Sequence, residues 1–148
     1  MLFRSTTLMT TPGRAVVGLL IGSLTGAALT ALYFVVNTLV TNWGAGQPES
    51  LVGLGLVIFF FSLFVWALGL FTLGVTGWAL LHAAGLRGPV TAAVFGAGLA
   101  AANGFWLSGW RFGGFIGWFG LAGAFVGLVI WVWAYRSISP DAEADVIA

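Results

Sequence analysis

The chain has no cysteine and no lysine, and little charge of either sign: five arginines and four acids in 148 residues. Without cysteine there are no disulfides, no thiol redox chemistry and no thiolate-held metal. Charged residues make up 6% of the sequence, where a soluble domain carries roughly 25%. So few charges cannot wet the outside of a globule that is 60% hydrophobic, so lipid is the expected solvent. The acids are Glu49, Asp141, Glu143 and Asp145, and none falls inside an apolar run. Proton- or cation-coupled transport generally needs an ionisable group at membrane depth, and carboxylate-pair hydrolysis needs two. No base and nucleophile stand together in an apolar run either, so the sequence reads as non-enzymatic, with no metal and no cofactor. A net charge of +1 gives no footprint for nucleic acid.

What is present is glycine, at 23 positions, together with 13 phenylalanines and eight tryptophans. Gly18, Gly22 and Gly26 recur every fourth residue, with Thr30 one step on. Residues four apart are neighbours on one helix face. In a membrane such a strip lets a second helix approach closely, and packing then drives association. The pattern returns at Ala92, Gly96, Ala100 and Gly104, and again at Gly123 and Gly127. Three small faces exceed what one bundle obviously uses internally. The expected partners are therefore membrane lipids and either a second copy of the chain or a larger membrane complex.

The expected architecture is an all-α bundle of four transmembrane helices within residues 14–136. The spans are read at about 15–40, 51–82, 90–106 and 115–135. Residues 1–13 form a short polar lead, broken from the first span by Pro12-Gly13. The first apolar run, 26 residues from Ala15, is far longer than the roughly 7–15 residues of a signal-peptide core. It reads as an uncleaved span. Ser50 is the expected N-cap of the second span. That span exceeds a ~30 Å hydrocarbon core, so it should project into water or bend near Gly74 and Gly77. Gly85 should stop it and Pro89 should start the third. Trp43, Trp78, Trp106, Trp110, Trp131, Trp133 and Tyr135 suit the membrane interfaces. Residues 137–148 read as an acidic disordered tail.

In a four-span chain Arg4, Arg14, Arg87 and Arg136 fall on one side and Arg111 on the other. Positive residues near short loops favour the cytoplasm, so both termini are expected inside, in a bacterial inner membrane.

Few side chains remain for chemistry. His82, the lone histidine, suits a helix C-terminus or a proton shuttle. Asn37 and Asn103 either bond across helices or join His82 along a polar path. Arg111 either snorkels beside its tryptophans or meets a lipid headgroup. The favoured function is a structural, accessory or assembly subunit acting through glycine-mediated packing. The alternatives are a small channel for an uncharged or weakly polar solute, and a pore-forming lysis protein.

Overall fold

The computed structural model describes residues 8–41, 48–107 and 114–137. The expected loops around Trp43 and Arg111 and the tail from Asp141 lie outside the described residues. Five α-helices follow one another: α1 (Pro12–Thr41), α2 (Pro48–Gly69), α3 (Val75–Ala83), α4 (Pro89–Leu107) and α5 (Gly114–Ala134). A π-helical turn, Leu70–Gly74, joins α2 to α3 without a break. Three helical stretches are long and apolar enough to cross a membrane: Pro12–Thr41, Leu51–Ala83 and Gly114–Ala134. Helix α4 is a shorter apolar helix.

The helix starts differ from expectation for a common reason. Pro12 opens α1 rather than breaking the chain ahead of it. Its missing N–H falls where a helix has no internal acceptor to use. Thr11 caps the turn: its Oγ1 accepts from Arg14 N at 3.4 Å, and its carbonyl accepts from Ala15 N at 3.0 Å. Pro48, not Ser50, likewise opens α2, and Pro89 opens α4. Gly85 stops α3 with φ 72°, the left-handed backbone that glycine adopts at no steric cost. The paired bonds from Gly85 N to His82 O, 3.1 Å, and from Leu86 N to Leu81 O, 2.9 Å, close the helix as a Schellman turn.

The long second span bends its hydrogen-bond pattern at Leu70–Gly74. Val75 N–H reaches back to Leu70 O, one residue further than in an α-helix. Two features favour this at that place. Glycines bracket the turn at Gly69 and Gly74, and two threonines divert backbone carbonyls. Thr72 Oγ1 donates to Leu68 O at 2.6 Å, and Thr76 Oγ1 donates to Thr72 O at 2.9 Å. Such back-bonding competes with the regular ladder.

Helix α1 packs between α2 and α5, and α5 packs between α1 and α4. The buried core is built from small side chains. Ala27, Ala31, Ala100, Ala122 and Ala134 are buried beside Leu19, Phe119 and Val126, with Ser23, Thr30 and Ser62 among them. The bulk lies outside: Phe60, Phe61 and Phe64 are 65%, 71% and 68% exposed. Soluble domains bury such residues. The inverted arrangement suits a chain solvated by hydrocarbon. A short antiparallel pairing of Leu8–Met9 with Arg136–Ser137 ties the two ends together below α1 and α5. Ser137, the first residue of the expected tail, is thus strand-paired, and residues 138–148 lie outside the described residues.

Candidate functional site

The small-residue faces explain the helix order. A β-carbon on Gly18 would stand 3.1 Å from Ile130 O, and one on Gly22 would stand 2.6 Å from Ile130 Cγ1. These two glycines seat α1 on α5. One turn on, Gly26 makes room for the Trp66 indole of α2. A β-carbon on Gly96 would meet the carbonyl of Gly123 and stand 3.2 Å from Gly127 Cα, one on Gly123 would meet Gly96 O, and one on Gly127 would meet Ala92 O. Helices α4 and α5 therefore meet backbone to backbone. All three strips are occupied by other helices of the same chain, which corrects the expectation that they exceed internal needs.

Trp66 is fixed from two sides. Its Nε1–H donates to Thr30 Oγ1 at 3.0 Å, and the Thr30 hydroxyl donates to Gly26 O at 2.9 Å. Its ring stacks on Phe119 of α5, centroids 6.4 Å apart and planes 9° off parallel. This bridge spans the gap between α2 and α5. On the far side of the gap, α3 meets α4 where the Phe95 ring lies against Gly77.

The gap is a cleft of about 710 Å³. Its walls are α2, the π-helical turn and α3 on one side and α4 and α5 on the other, with the start of α1 between them. Leu70, Leu73, Leu99, Val126 and Ile130 line its length. Polar groups gather at its ends: Asn103 at one, and Thr10, Trp78, His82, Trp131 and Tyr135 at the other. From Phe119 to Tyr135 it follows α5 for about 24 Å at ~1.5 Å per residue.

The second end is a hydrogen-bonded aromatic cluster. Trp78 Nε1–H donates to Tyr135 Oη at 3.0 Å, and His82 Nδ1 lies 3.2 Å from the same oxygen. That oxygen holds Trp78 and His82 together: it accepts from the indole, and its hydroxyl donates to Nδ1 in one histidine tautomer and accepts from it in the other. The His82 and Tyr135 rings stack 6.1 Å apart. Arg87 Nε donates to His82 O at 3.4 Å, and Trp131 Nε1–H donates to Arg87 O at 2.8 Å. The α3–α4 turn is thereby pinned to the end of α5.

The expected polar residues do not form one path. Asn103 and His82 both line the cleft, at opposite ends. Asn37 is exposed on α1 and does not belong to the lining, and no hydrogen bond joins it to Asn103 among the described residues. Arg111 lies outside the described residues. No group of three or more metal-ligating side chains occurs among the described residues. The sequence reading placed Trp78 and Tyr135 at an interface but did not join them to His82. The available signal was topological. Trp78 and His82 are four apart on one helix, and the two helices that follow, α4 and α5, bring the chain back to their end at Tyr135.

No protein-family model, characterised protein or solved structure matches this chain.

Proposed function

We infer that the chain is a four-span membrane protein with both termini in the cytoplasm of a bacterial cell. In this reading α4 is the remaining span, and the protein has a structural or accessory role rather than an enzymatic one. It acts by packing and by what its cleft holds. The observation that carries this reading is the cleft itself: hydrocarbon side chains along its length, polar groups at its ends, and glycine-set helix contacts around it. A site of this kind binds apolar matter. The polar residues that a solute channel would share are split between the cleft and the outer face of α1, so the channel reading has less support.

Purification in mild detergent, with mass measurement and identification of everything that accompanies the chain, tests this. The expected result is a chain that retains a defined apolar guest or a membrane partner in fixed ratio. A bare monomer that conducts a small solute in liposomes, with flux lost in Asn103→Ala, would overturn it in favour of a channel.

A further inference from the structure

We propose that the cleft between α2–α3 and α4–α5 holds the hydrocarbon chain of a membrane phospholipid, with its head at the Trp78–His82–Tyr135 end. This rests on the reading of the chain as a membrane protein whose cleft is occupied.

Three features of the cleft select this occupant over a helix from a partner protein. The first is that the cleft is bridged. At one end Trp66 stacks on Phe119. Towards the other, the Phe95 ring fills the space beside Gly77, and Trp78 bonds Tyr135 at 3.0 Å. Between Trp66 and Gly77 the open window is about 16 Å long at ~1.5 Å per residue. A helix with its side chains is about 10–12 Å across and would have to break these bridges to lie along the cleft. A polymethylene chain is about 4–5 Å across, from carbon contact distances of ~3.5–4.0 Å. It can bend around the bridges one bond at a time.

The second feature is capacity. About 710 Å³ falls in the range of small-ligand sites, roughly 300–1,000 Å³. The cleft's length of about 24 Å along α5 exceeds one leaflet of a ~30 Å hydrocarbon core. A full acyl chain therefore fits without leaving the cleft.

The third feature is polarity. The walls between the bridges are Leu70, Leu73, Leu99, Val126 and Ile130, and polar side chains return at Thr10, His82 and Tyr135. Arg14 stands in the first turn of α1 at this end, and Arg87 lies just past His82. An amphiphile with a long chain and a phosphate head has this same sequence of polarity. Tryptophan and tyrosine at the head end suit the headgroup level.

Gly69 offers a clean test. It lines the window, and a β-carbon there meets nothing within 4 Å. Gly69→Phe therefore starts from open space and carries its ring into the cleft. Gly98 has equal room but lies outside the lining, so Gly98→Phe is the control. Leu99→Trp narrows the opposite wall and serves if Gly69→Phe does not fold. The measurement is native mass spectrometry of the full chain in a delipidating detergent series, with phosphatidylglycerol as the added probe.

The expected result is one phospholipid retained per chain in the wild type and in Gly98→Phe. Retention should fall at least tenfold in the filled variants while their helical circular dichroism is unchanged. A wild type stripped as readily as the filled variants overturns the proposal. So does loss of a co-purifying protein, rather than lipid, when the cleft is filled; that result would leave the accessory reading standing. A bare wild-type monomer with neither lipid nor partner overturns both.

Discussion

The Phe95 ring occupies the place where a β-carbon on Gly77 would stand, so α3 and α4 touch across the cleft at a glycine. A methyl group there must push aside the tip of a ring that lines the cleft. Gly77→Ala should destabilise the protein by about 1 kcal/mol, the low end of the usual cost of overpacking, because the ring can turn into the cleft. Thermal unfolding in detergent reads this. Phe95→Ala in the same chain should recover most of the loss, since the two changes act on one contact.

Gly96 and Gly98 lie two residues apart on α4 and should respond oppositely. Gly96 faces the Gly123 carbonyl, a backbone group that cannot rotate away. Gly96→Ala should cost about 3 kcal/mol by forcing α4 off α5. Gly98 has open space, so Gly98→Ala should be neutral or stabilising by up to about 1 kcal/mol through helix propensity. Equal effects in unfolding measurements would show that the α4–α5 contact is not set by Gly96.

The Thr30 hydroxyl links two helices by receiving Trp66 Nε1–H and passing its own proton to Gly26 O. Thr30→Val keeps the shape and removes the acceptor. The expected loss is about 0.6 kcal/mol and at most roughly 1.7, the range for hydrogen bonds between membrane helices. Thr30→Ser should restore it. Tryptophan emission should report the altered indole environment in the valine variant alone.

The arginine distribution gives a topology that can be measured directly. A reporter fused after Ala148 should be active only in its cytoplasmic form, and one inserted between residues 42 and 47 only in its external form. The opposite pattern would invert the assignment of the His82–Tyr135 end to the cytoplasmic side.

Much of the architecture was legible because membrane helices advertise themselves by length and apolar content. The stop at Gly85 and the start at Pro89 were legible because each has a one-residue backbone cause. The start at Pro12 was misread: Pro-Gly is a turn signal in isolation, and Thr11 as a cap decides otherwise. Partner choice among helices was not legible. Small-residue strips on three helices are interchangeable in sequence, and only the fit of Ile130, Trp66 and the Gly123 carbonyl into them sets the order. The cluster at Tyr135 was hidden for a related reason. Its members sit 53 to 57 residues apart, and no local period connects them.

The π-helical turn at Leu70–Gly74 acts as a phase setter for everything that follows it. It adds one residue of rotation, about 100°, to the helix that carries Val75 to Ala83. Gly77 reaches Phe95, and Trp78 and His82 reach Tyr135, only with that rotation in place. Deleting a single residue such as Thr72 would restore a regular helix and turn Gly77, Trp78 and His82 away together. One inserted residue thus serves as the hinge pin on which the closed end of the cleft is aligned.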